Sequence, residues 1–414
     1  MNSRFLFTVI CIITYHHMTA QIEKKAIGNL LLENIPDIPK DLETSMQPYQ
    51  NIREGIFLDW LPGKKGLLMA TRFQETQQIH QVTQPGGARR QLTFYKEPVQ
   101  GAAVRPGSEN YCFWMDEGGD EDYQIYYFPS DEQQARCLTD GYSKHTPGVW
   151  NRQGTRIATT TPRRNGRDYE VVLLNPDHPG QYETVLSKEG YWSPLDWSPD
   201  GSKLLLLHYR SIVDSEVHLL DLPTRALTPL RPFDADTCYT GEARWSRDGK
   251  SIYLISDAQG EFRNLMRYTP GDDRWENLTY DLPWDVELLE ISPDGEELAF
   301  SLNENGYSRL YQLYTATGRY RLWTRMPNGQ ISGMRWHPTE NTLAFTLATP
   351  QAPGDVFSLL SARPVLQRWT YSETGGLPES QFVTPELVHF PAFDRGQPGA
   401  PDSIAAFLYL PKVE

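Results

Sequence analysis

Trp197-Ser198-Pro199-Asp200-Gly201, followed by the apolar run Leu204–Leu207, is the stretch whose reading decides the fold. Two near copies stand downstream: Trp245-Ser246-Arg247-Asp248-Gly249, and Ile291-Ser292-Pro293-Asp294-Gly295. Weaker copies begin at Trp60 (Leu-Pro-Gly follows), Val104 (Arg-Pro-Gly), Trp150 (Asn-Arg-Gln-Gly) and Trp336 (His-Pro-Thr-Glu). The steps between these seven anchors are 44, 46, 47, 48, 46 and 45 residues. Such a period is that of one four-stranded propeller blade. Pro presets φ, Asp offers an Asx-type hydrogen bond and Gly accepts φ > 0, so each motif makes a tight turn between two strands.

The residues after each turn fit a blade. The second strand is a near-continuous apolar run: Ile252–Ile255, Leu298–Phe300 and Leu343–Phe345 join Leu204–Leu207. A blade packs between two neighbours, so both faces of its inner strands are buried. Third strands are expected at Tyr123–Phe128, Glu170–Leu174, Glu216–Asp221, Asn264–Tyr268 and Arg309–Tyr314. A more polar fourth strand is expected to end each blade, often as Leu-Thr (Leu92-Thr93, Leu138-Thr139, Leu278-Thr279), polarity there discouraging edge pairing. A β-sandwich does not hold one anchor at a fixed period seven times. The expected fold is all-β, a seven-bladed β-propeller of four-stranded blades over 53–370, with blades near 58–100, 101–146, 147–193, 194–240, 241–286, 287–331 and 332–370.

Two segments fall outside the repeat. An N-terminal extension, 21–52, contains Pro36 and Pro39 and has helical character around Leu42–Tyr49. At the other end, 371–414 is a Gly- and Pro-rich linker with a possible strand at Leu387–Phe390, ending in an orphan strand, Ile404–Leu410. Residues 1–20 have the form of a secretory signal: Arg4, the apolar run Phe5–Tyr15, and Ala20 at the expected cut. The run is too short to span a bilayer. The protein is therefore expected to be exported, periplasmic or secreted, with no membrane attachment after cleavage.

Charge and cysteine content narrow the classes. The 39 Lys and Arg against 53 Asp and Glu leave a net charge of −14, which gives no general attraction for nucleic acid or anionic lipid. Cys112, Cys137 and Cys238 remain after the signal. Cys112 and Cys137 fall on the second and fourth strands of one expected blade, roughly 9–10 Å apart, beyond the ~7 Å that a disulfide bridges. Three free, mostly buried thiols are expected.

No segment carries a complete catalytic motif. Ser143, Ser251 and Ser308 have Gly two residues before, but His145, Tyr253 and Leu310 two after, so none completes Gly-x-Ser-x-Gly. There is no His-Glu-x-x-His, phosphate loop or dinucleotide fingerprint. His208 and His218 are expected on adjacent strands of blade four, as ordinary strand histidines rather than metal ligands. The acidic hairpin Asp116, Glu117, Asp120, Glu121 and Asp122 could hold calcium but lacks the EF-hand spacing, and reads as a solvated turn. Arg163, Arg164 and Arg167 around Asn165-Gly166 could grip a carboxylate, and read first as a basic turn. No catalytic, cofactor-binding or metal residue is assigned, and no cofactor.

Several stretches resemble a known family. They are Asp116–Tyr126, Pro85-Gly86-Gly87 with Gln91-Leu92-Thr93-Phe94, the junction Arg368-Trp369-Thr370-Tyr371-Ser372-Glu373 with Phe382–Leu387 and Ala405–Pro411, and the leader Gly28–Pro36. They resemble exported members of the prolyl oligopeptidase family of serine peptidases. The resemblance implies a propeller that gates peptide access to a Ser-Asp-His triad in a following α/β-hydrolase domain. Here that domain is expected to begin near Ser403 and to be missing, so that the chain is a truncated, inactive gating region whose partner is a peptide substrate or a hydrolase domain. The alternative is a free-standing TolB-like periplasmic propeller that binds a protein or peptide. A propeller glycosidase would need carboxylates converging on the central channel.

Overall fold

The computed structural model describes residues 23–28, 30–132, 134–235, 237–393 and 403–412. The expected signal at 1–20 lies outside them. Seven four-stranded antiparallel sheets follow one another, each built from four strands consecutive in sequence. Their first strands are Ile56–Trp60, Gly101–Val104, Val149–Trp150, Tyr191–Trp197, Thr240–Trp245, Val286–Ile291 and Gln330–Trp336. Each of the seven anchors ends one of these strands, and these strands meet one another around the ring, forming its inner wall. The propeller is thus as the repeat predicts, and Trp150 ends the short first strand of blade three.

The anchor turns form as their chemistry requires. Gly201, Gly249 and Gly295 take φ of 72°, 72° and 78°. Each Asp side chain accepts from the backbone two residues on: Ser202 N at 3.1 Å, Lys250 N at 3.1 Å and Glu296 N at 3.0 Å. The serine adds a second tie, its Oγ donating to that Asp and accepting the N–H of Lys203, Ser251 or Glu297. Each second strand has a buried apolar stretch, and Leu67–Thr71 and Ile252–Ser256 are buried along their whole length.

The Leu-Thr pairs are not the exposed edge that the pattern suggested. They lie just past the short fourth strands Arg90–Gln91, Arg136–Cys137 and Arg274–Asn277. The Leu N–H continues the ladder to Ile79, Ile125 or Leu265. The Thr hydroxyl then accepts the N–H of that same third-strand residue, at 2.9, 3.2 and 2.9 Å. Thr93, Thr139 and Thr279 are buried. A threonine here satisfies a buried donor, which is why a polar side chain recurs at a position away from solvent.

Blade seven meets blade one without exchanging a strand. Phe57, Trp60, Leu67, Met69 and Val82 of blade one form one core with Ala344, Val356 and Trp369. Phe57 N donates to Thr346 Oγ1 at 2.8 Å, and the Trp60 indole to Arg335 O at 3.2 Å. Just outside, Ile52–Arg53 pairs antiparallel with Glu373–Thr374, tying the chain's entry to its exit.

The terminal strand is not an orphan. Ser403–Leu408 pairs over its length with Glu386–Pro391, and Phe407 packs on Tyr307 of blade six at 4.7 Å. The strand had looked unpaired because its partner lies across a stretch with no repeat to mark it. In the leader, Lys24–Ile27 pairs with Leu30–Glu33, and a helix spans Lys40–Gln50.

Strand order divides the ring into two faces. Each first strand runs from the face where the chain enters to the anchor turn. The anchor turns and the turns between third and fourth strands therefore share one face. The hairpins between second and third strands, the blade-to-blade connections and the entry–exit pair share the other, here called the entry face.

Candidate functional site

The residue before each anchor sits on the inner wall. In blades one to seven it is Asp59, Ala103, Val149, Asp196, Arg244, Glu290 and Arg335. From blade four round to blade one the charges alternate: Asp196, Arg244, Glu290, Arg335, Asp59. First-strand bulges at Leu58, Leu195, Glu242, Glu287 and Gly333–Met334 precede all five. A bulge bends its strand and re-aims the side chains that follow.

These charges bond in pairs around the axis. Asp59 Oδ1 accepts its own anchor's N–H, Trp60, at 2.8 Å. Its Oδ2 accepts the next blade's anchor, Val104 N, at 2.8 Å, and Arg335 at 3.2 Å. Asp196 repeats the device between Trp197 N at 2.9 Å and Trp245 N at 2.8 Å. Glu290 accepts both Nε and NH2 of Arg244, at 3.3 and 3.2 Å. Burial raises Asp59 and Asp196 above the usual carboxylate range, opposed by Arg335 and Arg244 respectively and by the backbone donors. Asp59 in turn holds Arg335 further in its charged form. The carboxylates do converge on the channel, as a glycosidase would need. Each is engaged by backbone N–H groups or a guanidinium, so the arc acts as a stitch between blades.

On the anchor face two arginines extend the stitching. Arg152 of blade three reaches the carbonyls of Trp245, Ser246 and Arg247 in blade five, at 3.2 to 3.4 Å. Arg247 reaches Ser292 and Ile291 in blade six at 2.9 and 3.0 Å.

The entry face has a different character. Phe94, Tyr142, Ile212, Val213, Tyr280 and Tyr371 stand out from it, Phe94 and Tyr280 each 78% exposed. Phe233 and Phe262 add two more partly exposed rings. On the anchor face the exposed large apolar side chains are Tyr314 and Leu360.

The residues singled out from sequence distribute as follows. The three basic-turn arginines are paired within their hairpin: Arg167 with Asp168 at 3.1 Å, Arg164 with Asp168 and Glu170 at 3.6 Å, Arg163 with Glu170 at 3.7 Å. In the acidic hairpin Asp116 accepts Glu121 N and Asp120 accepts Asp122 N, a self-bonded turn. Among the described residues no group of three or more His, Cys, Asp or Glu is placed to hold a metal ion. His208 and His218 do lie on adjacent strands, centroids 6.0 Å apart, with His208 stacked on Trp192 at 4.1 Å. Burial lowers His218 to about 4. Ser143 and Ser308 are buried within the ring, and Ser251 closes an anchor turn. Cys112 is buried; Cys137 and Cys238 are only half-buried, and all three are free.

The arc was absent from the sequence reading, which followed the anchors themselves. Aligning the seven anchors and reading the column before them would have exposed the alternation.

No family model matches the sequence, and no curated protein matches it. Solved structures do. A prolyl endopeptidase, one of two examined for the role of inter-domain dynamics in catalysis and specificity, superposes with TM-score 0.66 at 10% identity over 92% of this chain and 63% of its own. A puromycin-hydrolyzing peptidase from Mycobacterium tuberculosis superposes with TM-score 0.70 at 14% identity over 86% of this chain and 58% of its own. The likeness is one of fold. The chain spans about three-fifths of the length of the solved chains it matches.

Proposed function

We propose that this chain is the propeller region of an exported serine peptidase of the prolyl oligopeptidase type, a gate that restricts which peptides reach a hydrolase active site. The entry face carries the reading. It gathers the exposed aromatic and aliphatic side chains, and the chain enters and leaves the ring there through the Ile52–Arg53 and Glu373–Thr374 pair. Exposed apolar clusters of this kind mark protein-contact surfaces. The fold shared with two peptidases and the junction segment at Arg368–Glu373 support the same partner, an α/β-hydrolase domain.

The purified chain is expected to leave peptidyl-nitroanilide substrates intact. A separately produced hydrolase domain of this peptidase type is expected to bind it. Replacing Phe94, Tyr142 and Tyr280 together by Ser should weaken that binding, while replacing Tyr314 and Leu360 on the anchor face should not. Turnover by the chain alone that a serine-directed inhibitor abolishes, or docking indifferent to the entry-face changes, would overturn the proposal. A second reading, a TolB-like binding module, draws on the closed seam between blades seven and one, which leaves the ring complete by itself. Recovery of one saturable partner that is not a hydrolase would favour it.

A further inference from the structure

Blade five carries a groove where its outer edge meets the entry face, sharing Phe233, Phe262 and Tyr280 with that face. It has a volume of about 670 Å³ and opens between Phe233, Phe262, Trp275 and Tyr280, with Asn264 and Asn277 on its polar side. The ring of Phe233 lies 6.3 Å from that of Trp275, which is itself stacked on Tyr268 at 4.5 Å. Phe233 holds this position in the left-handed region, at φ 53° and ψ 31°. That conformation is unfavourable for a bulky side chain and is retained where the surroundings or a function demand it.

The groove adjoins an open sheet edge. Trp275 and Asn277 belong to Arg274–Asn277, the outermost strand of the blade, paired on one side only, with Asn264–Thr269. An open edge beside a side-chain pocket is the arrangement that strand addition uses. Main-chain hydrogen bonds supply affinity and the pocket selects a side chain. Among the described residues, the one charged side chain lining the groove is Glu261, with no Lys or Arg. It therefore disfavours acidic ligands.

We propose that an extended peptide segment, neutral or basic, adds to blade five along Arg274–Asn277 and places an aromatic side chain between Phe233, Trp275 and Tyr280.

The test uses the purified chain and a fluorescein-labelled octapeptide alternating threonine and phenylalanine between terminal lysines. Fluorescence anisotropy should show saturable binding. A copy N-methylated at alternate backbone nitrogens on the edge-facing side should bind about ten-fold more weakly, since it cannot donate to the strand. A copy with terminal glutamates should also bind more weakly. Trp275→Ala should weaken binding by about ten-fold or more. Phe233→Gly, which suits the left-handed backbone, should weaken binding without lowering the melting temperature, separating a binding role from a folding one. Equal affinity for the N-methylated peptide, binding unchanged in Phe233→Gly, or no saturable binding at all would overturn the proposal. So would displacement of the peptide by maltohexaose, which would assign the aromatic groove to carbohydrate. Because the measurement needs no hydrolase domain, its failure is distinct from failure of the gating reading.

Discussion

The indole of Trp60 donates to the carbonyl of Arg335 across 275 residues of sequence, at 3.2 Å. Trp150, Trp197 and Trp336 do the same to Ala103, Val149 and Glu290, in each case the residue just before the anchor of the preceding blade. The seam between blades seven and one thus uses the same tie as the continuous part of the ring. Trp245 breaks the rule: its indole nitrogen is buried without a partner. Replacing each tryptophan by phenylalanine removes similar bulk from both sites. Only at Trp60 does it also remove a hydrogen bond. Trp60→Phe should cost about 1 kcal/mol more than Trp245→Phe in urea denaturation. Equal costs would show that the seam does not depend on this bond.

Asp59→Asn tests the axial arc. The amide keeps one acceptor but turns an NH2 toward Val104 N–H or Trp60 N–H, and leaves Arg335 without its anionic partner. A loss of about 2–4 kcal/mol is expected. Adding Arg335→Gln should cost less than the sum of the two single changes, because the pair acts as a unit. Strict additivity in denaturation would count against the pairing.

Acid should weaken the fold in a definite window. Burial lowers His145 and His218 to about 4 from 6.5, against the pull of Asp140 and Glu216. Arg163 adds to the lowering at His145; His208, Lys188 and Arg210 add to it at His218. The unfolded chain takes up these protons near pH 6.5, whereas the folded chain resists until about pH 4. Their contribution is therefore whole above pH 6.5 and is lost as pH falls toward 4, by up to about 3 kcal/mol for each. The lowered carboxylates, Asp221 at about 2 among them, act below that window. His145→Gln should flatten the stability profile between pH 6.5 and 4. An unchanged slope would remove His145 as a cause.

The thiols offer a direct count. In the native protein Cys112 should resist alkylation, because burial pushes its thiol well above the ordinary value. Cys137 and Cys238, half-buried, should react first. Unfolding without reductant should expose all three. A missing pair on mass analysis would reveal a disulfide.

Much of this architecture was legible in a one-dimensional repeat. Ser-Pro-Asp-Gly turns form from four neighbouring residues, and a blade's second strand is apolar because it is covered on both faces. Seven anchors at near-equal spacing therefore set the number of blades before any contact was known. Leu-Thr was legible as a repeat but misread as an edge, because its hydroxyl works on a backbone donor two strands' length away in sequence. The same limit applied to Ser403–Leu408, whose partner is identified only by pairing in space.

By itself, then, the sequence determined the local turns, the strand periodicity and the count of blades, all consequences of short-range chemistry repeated along the chain. Tertiary structure alone decided what depends on closure. Residues some 45 positions apart become neighbours only when the ring forms, and only then do Asp196, Arg244, Glu290, Arg335 and Asp59 become an alternating arc. Strand order sorts the loops between two faces, and closure brings Phe94, Tyr142, Tyr280 and Tyr371 onto one surface on the side where the chain enters. The repeat places Phe94, Tyr280 and Tyr371 each directly after a recurring buried threonine (Thr93, Thr279, Thr370), but only the closed ring makes residues so far apart in sequence members of one surface.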